Sequence, residues 1–228
     1  ATDDVTVTRE LIPTTTVVTP VTGSVGTTTT VTATVTASND RAVSQGKVTF
    51  YYDGNVIGVD DDLTDGVSIG VVFNSTISDG LITATYVDDS EGEAKIFDTS
   101  SSSTNISESG KTNIGKGQAV IELVADPVSG IPGVTSIVSI SVKDANTQLP
   151  VSGSVVIDGA TVNIGADGTG SYEYAIVDGT SLSGTVLTGV FSSPDYEDAT
   201  DDVTVTRELI PTTTVVGEVS GSVGTTTT

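Results

Sequence analysis

The sequence predicts an all-β protein built from antiparallel β-sandwiches, and three observations support this fold class. Threonine and valine are the commonest residue types, with 40 and 35 of the 228 positions. Both are β-branched and favour pleated strands over helices. Apolar and hydroxylic residues alternate in several segments, and Asp-Gly pairs, which favour tight hairpin turns, separate those segments.

Strict alternation defines the individual strands. Residues 31–37, 47–52, 81–86 and 138–143 each place apolar residues at every second position. One apolar face and one wet face are typical of antiparallel sheets. No segment keeps a 3.6-residue period, so we expect almost no helix. Short strands at this spacing predict about seven strands per sandwich, with Asp-Gly turns at 53–54, 65–66, 79–80, 158–159, 167–168 and 178–179.

Two internal repeats organise the chain. Residues 1–30 recur at 199–228 with 27 of 30 positions identical, which gives a period of 198 residues. A diverged repeat lies inside that period at an offset of 105, where Ile82 aligns with Leu187 and Tyr86 aligns with Phe191. One period therefore contains two related units, which we call unit A and unit B.

The repeats predict the domain organisation. We expect the last strand of a preceding unit B at 1–12, unit A at 13–105, a linker at 106–117, unit B at 118–210, and the first strand of a following unit A at 211–228. Because proline fixes φ, we expect the B-to-A joint at Pro211 to be stiffer than the glycine-containing joint from A to B.

Several segments resemble a known family. They are TTTVV at 14–18, GKVTFYYDGNVIG at 46–58 and SDGLITATYVDDSEG at 78–92. They are similar to the Big-type immunoglobulin-like repeat domains of large bacterial and archaeal surface proteins. The resemblance implies tandem immunoglobulin-like antiparallel β-sandwiches arranged end to end. It also implies an extracellular, cell-surface role in a stalk, adhesin or filament, and it supplies no catalytic residues.

Composition narrows the class of function. The formal net charge of −22 opposes binding to nucleic acid or anionic membranes. No run of about 18 apolar residues is present, so we expect no membrane insertion in this segment. With no His and no Cys, acid–base catalysis would fall to carboxylates, lysines or tyrosines. The carboxylates lie on expected turns and wet faces, so we expect no enzyme.

Acidic clusters make calcium the one candidate ligand, and no other cofactor is expected. Calcium takes six to eight oxygen ligands, although no EF-hand spacing is present. The alternative is that these acids form solubilising loops. The candidate ligands fall into three groups: Asp60, Asp61, Asp62 and Asp65; Asp88, Asp89, Glu91 and Glu93; and Asp195, Glu197, Asp198, Asp201 and Asp202.

Two glycosylation sequons are present, at Asn74-Ser75-Thr76 and Asn105-Ile106-Ser107. In a secreted protein such sequons are acceptors for N-linked glycans when they lie on exposed loops. Asn105 follows a serine-rich run and Asn74 follows a predicted strand, so we expect both side chains to be exposed.

The sequence supports three functional hypotheses. The first is a covalently continuous stalk or filament for attachment, whose partners are neighbouring repeats or identical filaments. In the second, a filament subunit uses residues 1–12 or 212–228 as a strand that completes a neighbour. The third is a module that binds surface glycans, for which the candidate aromatic residues are Tyr51, Tyr172, Tyr174 and Tyr196.

Overall fold

The computed structural model of the chain describes residues 9–105 and 109–217. Within these ranges the protein is all-β, as predicted. Its one helical element is a single 3-10 turn at Gly92–Ala94. The predicted end strands lie partly outside the described residues, at 1–8 and 218–228, and residues 208–217 form no strand.

The first nine strands form two facing sheets. The smaller sheet has the order β1-β3-β6, and the larger has the order β2-β9-β7-β4-β5 with β8 paired to β7. All pairings are antiparallel except that of β2 with β9. The strands are β1 (Thr14–Val18), β2 (Val21–Ser24), β3 (Thr28–Ala37), β4 (Lys47–Tyr52), β5 (Asn55–Asp60), β6 (Val67–Val72), β7 (Ile77–Val87), β8 (Ser100–Ser101) and β9 (Lys111–Gly115).

The remaining strands repeat this order. They form the sheets β10-β12-β15 and β11-β17-β16-β13-β14, and β11 pairs with β17 in parallel. This division into a three-stranded sheet and a larger facing sheet is the immunoglobulin-like arrangement. The strands are β10 (Ala119–Asp126), β11 (Ser129–Gly130), β12 (Thr135–Asp144), β13 (Gly153–Ile157), β14 (Ala160–Ile164), β15 (Thr169–Ala175), β16 (Thr185–Ser192) and β17 (Ala199–Arg207).

Each pair of sheets encloses its own hydrophobic core. The alternation assigned the inward faces correctly, because Tyr86 and its repeat partner Phe191 are both fully buried. Val138, Ile140 and Val142 are buried in the same way on β12. Small aliphatic side chains fill most of both cores, as the composition predicts. Tyr196 is the one residue that packs against both cores among the described residues.

Two of the predicted Asp-Gly hairpin turns are confirmed by the backbone. Asp53 and Gly54 have φ of 49° and 75°, and Asp158 and Gly159 have φ of 48° and 74°. Two consecutive positive φ values are those of a type I′ turn. The hairpin predicted at 79–80 is wrong, because this pair lies inside β7, where the pairing with β9 shifts register. Gly80 is needed there because a Cβ would come within 2.4 Å of Ile77.

The linker expected at 106–117 is wrong over much of its length. Lys111–Gly115 form β9, which pairs with both β2 and β7 and closes the larger sheet. Only Thr112 and Ile114 of this strand face the core, and both are buried. The Thr112 hydroxyl donates a hydrogen bond to the Gly110 carbonyl. Because this strand has a single large apolar residue, it shows little alternation of apolar and polar residues. The sequence therefore did not predict it as a strand.

Candidate functional site

The two sandwiches meet at a contact that we call the joint, formed by Gly26, Thr76, Gly117, Asp144, Asp195 and Tyr196. Residues 116–118 are the only ones between β9 and β10. The Gly117 amide donates to the Asp195 carbonyl at 2.9 Å, and the Glu197 amide donates to the Gly117 carbonyl at 2.9 Å. The residues expected to form a flexible glycine linker are therefore hydrogen-bonded to the loop between β16 and β17.

Asp195 also connects the sandwiches through its side chain. Its Oδ1 accepts the Thr76 amide at 2.8 Å and the Thr76 hydroxyl at 2.9 Å. Thr76 lies in the loop between β6 and β7, so both donors come from the first sandwich and the acceptor comes from the second. Hydrogen bonds to a charged acceptor are stronger than neutral ones. The joint is therefore held by specific polar contacts in addition to the covalent chain.

Gly26 and Asp144 lie close together across the joint. An ideal Cβ on Gly26 would lie 1.8 Å from Asp144 Oδ2, so only glycine fits at this position. Asp144 is buried and its Oδ1 accepts the amides of Asn146 and Thr147 at 2.8 and 2.7 Å. Burial opposes ionisation of Asp144, but these hydrogen bonds outweigh it and hold its pKa below the ordinary value.

Tyr196 lies between the two cores and beside Asp144. Burial and the neighbouring carboxylate raise the pKa of Tyr196 to about 12, because both disfavour a phenolate. A Cβ on Gly117 would approach the Tyr196 ring at 3.0 Å. Gly117 therefore packs directly against the Tyr196 ring. The lack of a side chain at Gly117 permits this close contact and does not indicate flexibility.

A groove of about 300 Å³ opens beside the joint, lined by Gly26, Asn74 and Tyr196 among others. Asn74 is exposed at its edge, in agreement with the expected exposure of this sequon. Thr76, the third residue of this sequon, donates the hydrogen bonds to Asp195. Asn105 is also exposed, but the other two residues of its sequon, at 106–107, lie outside the described residues. Glycan occupancy at both positions stays a prediction.

Two of the four acids in the first predicted calcium group, Asp60 and Asp62, accept hydrogen bonds from protein donors. Asp60 accepts the amides of Asp62 and Ser68 at 3.1 and 2.8 Å. Asp62 accepts the amide and the hydroxyl of Thr64, and these bonds lower the pKa of Asp62. Asp61 and Asp65 are exposed on the same loop. The group is a hydrogen-bonded turn between β5 and β6.

Asp88 of the second predicted group has a structural role, because it is buried and accepts hydrogen bonds from backbone amides. It is 1% exposed, and its Oδ2 accepts the amides of Ile96 and Phe97 at 2.8 and 2.9 Å. Gln45 Nε2 donates to the same oxygen at 2.7 Å. Burial alone would raise the pKa of Asp88, but the hydrogen bonds outweigh it, so the pKa lies well below the ordinary range. Of the other acids, Asp89 pairs with Lys47 at 3.6 Å.

The third predicted group is dispersed. Asp195 faces the joint, Asp201 accepts the Leu123 amide at 2.8 Å, and Glu197 and Asp198 are exposed. Across residues 9–105 and 109–217, no three His, Cys, Asp or Glu side chains come together in a way that could hold a metal ion. Calcium binding stays a prediction, and no preformed cluster in these ranges supports it.

The aromatic residues considered for glycan binding lie in three parts of the structure, on β4, on β15 and at the joint, and glycan binding stays a prediction. Tyr51, Tyr172, Tyr174 and Tyr196 are all partly buried. Tyr172 donates its hydroxyl to Asp158 at 3.0 Å, and Tyr172 and Tyr174 pack against the second core. Tyr196 belongs to the joint.

Sequence reasoning did not identify Gly26, Thr76 or Gly117 as joint residues. Thr76 resembles every other threonine in a threonine-rich chain, and its partner Asp195 lies 119 positions away. The one available signal was the glycine at 117, which was interpreted as flexibility. Nothing local distinguishes a glycine that permits motion from one that permits close packing.

Comparisons with known proteins show similarity at low identity. No protein-family model matches the chain, and a search of curated proteins finds no match either.

No helix among the described residues is long and apolar enough to cross a membrane.

Among solved structures, the chain is similar to an amphioxus IgVJ-C2 molecule, with 12% identity over 81% of this chain and 99% of that chain and a TM-score of 0.41. It is also similar to the Yersinia pseudotuberculosis adhesin InvE, with 14% identity over 84% of this chain and 58% of that chain and a TM-score of 0.34. The fibronectin(III)-like modules of Clostridium thermocellum CbhA match at 14% identity, 84% and 94% coverage and a TM-score of 0.30. Because these TM-scores are below 0.5, we assign the immunoglobulin-like fold from the strand order and not from these similarities.

Proposed function

We propose that the chain is part of an extracellular stalk or filament in which units A and B repeat end to end, and that this stalk serves adhesion at a cell surface. The observation that carries the proposal is the joint. Two domains that are only tethered are expected to move relative to each other. Here the hydrogen bonds from Thr76 to Asp195 link the two sandwiches directly, and Gly117, the middle residue of the three-residue connection, is hydrogen-bonded to the second sandwich.

The repeat supports the same proposal. The 198-residue period is preserved at 27 of 30 positions where two copies can be compared. In repeat arrays each unit contacts mainly its neighbours, so added units increase length without enlarging any single core. The net charge of −22 would keep such an extended molecule soluble and separate from its neighbours.

Solution scattering on chains of one, two and three periods tests this architecture. We expect the maximum dimension to increase by a constant amount with each added period, because the proposed stalk requires every A-to-B and B-to-A joint to fix the direction of the next unit. A dimension that grows only as the square root of the number of periods, as in a flexible chain, would contradict the proposal.

The location is tested separately, on intact cells of the source organism. An antibody against unit B should label unpermeabilised cells, and brief protease treatment should remove the label. Labelling that requires permeabilisation would refute a surface role while leaving the architecture intact.

A further inference from the structure

The groove beside the joint is built from both sandwiches. Gly26 and Asn74 line it from the first sandwich, and two loops of the second sandwich form the rest of its wall. One loop lies between β12 and β13, and the other lies between β16 and β17. Any group that fills the groove would therefore contact both sandwiches. The lining residues of the second sandwich include Leu149, Pro150, Ser152, Ser193, Asp195 and Tyr196.

Asn74 has a fixed position at the edge of this groove. It lies on the loop between β6 and β7, and all three residues of its sequon are exposed. Phe73 and Ile77, which flank the sequon, are buried in the first core. Thr76 is bonded to Asp195 of the second sandwich. The loop is thus held on both sides, and a group attached to Asn74 would begin at the groove.

The groove offers both kinds of surface that a sugar ring contacts. Ser152 and Ser193 provide hydroxyl groups, and Asp195 provides a carboxylate. Leu149 is 61% exposed, so its apolar side chain is available to the C–H face of a sugar. The volume of about 300 Å³ is at the lower end of the roughly 300–1,000 Å³ that is usual for small-molecule sites. It suits the sugars nearest the attachment point.

We propose that an N-linked glycan on Asn74 occupies the groove and connects the two sandwiches at the joint. Its covalent attachment to the first sandwich gives it a high effective concentration at the second, so weak sugar contacts are sufficient. A glycan held in this way restricts motion at the joint. The inference rests on the proposed function, since it assigns the glycan a role in stiffening the stalk.

The modification itself requires a lipid-linked sugar phosphate and a glycosyltransferase. The side-chain nitrogen of Asn74 forms a bond to C1 of the first sugar, and the bond from C1 to the phosphate oxygen breaks. The phosphate leaves with the bonding electron pair, and the nitrogen loses one proton. Asn-X-Thr is an acceptor sequence for this transfer.

Mass spectrometry of the protein from its source organism is the first test. Fragmentation of the peptide that contains Asn74 should place a glycan on that residue. Recovery of this peptide in the unmodified form alone would overturn the proposal.

Two variants distinguish a glycan in the groove from one that is only attached. Asn105→Gln keeps the sequon of Asn74, and Asn74→Gln keeps that of Asn105. Each variant is produced in the source organism and in a host without N-glycosylation. We expect the glycan on Asn74 to raise the Tm by about 2–4 °C, the shift expected from roughly one net hydrogen bond in a chain of this length. A glycan on Asn105 should have a smaller effect.

Spin labels measure motion at the joint directly. The chain has no cysteine, so Thr34→Cys and Ser139→Cys introduce one labelling site on each sandwich. Both positions are exposed, on β3 and β12, and they are equivalent in the internal repeat of 105 residues. The glycan on Asn74 should narrow the distribution of distances between the labels, and the glycan on Asn105 should not.

Ser152→Trp tests the location of the glycan by filling the groove from the second sandwich. Ser152 is exposed, so we expect the variant to fold, and the Tm of its unglycosylated form checks this. In the glycosylated Asn105→Gln chain, Ser152→Trp should abolish both the rise in Tm and the narrowing. Ser171→Trp is the matched control, because Ser171 is an exposed serine on β15, away from the groove. It should leave both effects unchanged.

The proposal fails if the glycan on Asn74 changes the Tm and the distance distribution no more than the glycan on Asn105 does. It also fails if both effects persist in Ser152→Trp. These measurements compare glycosylated and unglycosylated forms of this chain. The stalk architecture is tested by scattering from chains of one, two and three periods, so the two proposals can fail independently.

Discussion

Thr76 and Asp195 lie 119 residues apart, yet both the amide and the hydroxyl of Thr76 donate to the same carboxylate oxygen of Asp195. The chain contains the same two-donor pattern at Thr64 and Asp62, where the partners are two residues apart. The first pattern connects two sandwiches, whereas the second only closes a turn. The two sites therefore form a matched pair for measuring what the contact contributes to the joint.

Thr76→Val should loosen the joint. The substitution keeps the amide bond and removes the hydroxyl bond to a carboxylate, which contributes about 1 kcal/mol. We expect a lower urea midpoint for the loss of β-sheet circular dichroism, and a larger radius of gyration for multi-period chains. Thr64→Val should leave the radius unchanged. Expression without N-glycosylation is required because Thr76 belongs to a sequon. Equal effects of both variants on the radius would contradict the role of the joint.

Gly26→Ala should disrupt the joint by steric overlap. Gly26 and Gly54 both have φ of 75°, but a Cβ at Gly26 would meet Asp144 at 1.8 Å, whereas a Cβ at Gly54 meets nothing within 4 Å. Gly54→Ala therefore measures the cost of an alanine at positive φ alone, roughly 1–2 kcal/mol. We expect Gly26→Ala to destabilise by at least about 1 kcal/mol more, as measured by denaturant unfolding. If the two variants lose similar amounts of stability, the close contact between Gly26 and Asp144 does not contribute to the free energy of unfolding.

Asp88→Asn should change how stability depends on pH. The carboxylate stabilises the folded state above its ordinary pKa of 3.8, and that contribution declines as pH falls, because its folded-state pKa is lowered. At pH 7 we expect the variant to be less stable by about 2 kcal/mol, since hydrogen bonds to a buried charge are lost. The difference should shrink between about pH 4 and pH 2.

Asp62→Asn is the control for Asp88→Asn, since Asp62 also has a lowered pKa but is fully exposed. Thermal unfolding between pH 2 and pH 7 measures both variants. A difference between Asp88→Asn and the unchanged chain that does not vary with pH would show that the Asp88 charge is not the stabilising element.

Removing divalent cations should leave the protein unchanged. Asp60, Asp62, Asp88 and Asp195 already accept hydrogen bonds from protein donors. Among residues 9–105 and 109–217, these acids are not brought together in a group of three or more that could hold a cation. We expect the same Tm in EDTA and in millimolar calcium. A calcium-dependent rise in Tm that EDTA reverses would establish a site that is not preformed.

The strands and their inward faces were predictable because alternation is a local property. Ile82, Tyr86 and Phe191 were assigned to the cores from the sequence and are buried. Asp53-Gly54 was predictable because a type I′ turn depends on two adjacent residues. Asp79-Gly80 was not, because the same dipeptide serves as a register shift when strands flank it on both sides.

Neither the joint nor the role of Asp88 could be predicted from local sequence patterns, because both depend on residues that are not adjacent in the sequence. Asp88 has an acidic neighbour in sequence, which suggested a cation site. Its partners are backbone amides eight and nine positions away, brought to it by the return of the chain to the sheet. A carboxylate surrounded by acids in sequence can be surrounded by amides in space.

The parallel pairing of β2 with β9 has a mechanical consequence. The two strands run side by side in the same direction, one near the entry of the chain into the first sandwich and the other at its exit. Tension along the chain pulls them past each other, so their hydrogen bonds are sheared together instead of peeling one at a time. This pairing spans four residue pairs, and that of β11 with β17 spans two. Under load the second sandwich should yield first and lengthen the chain before the first one opens.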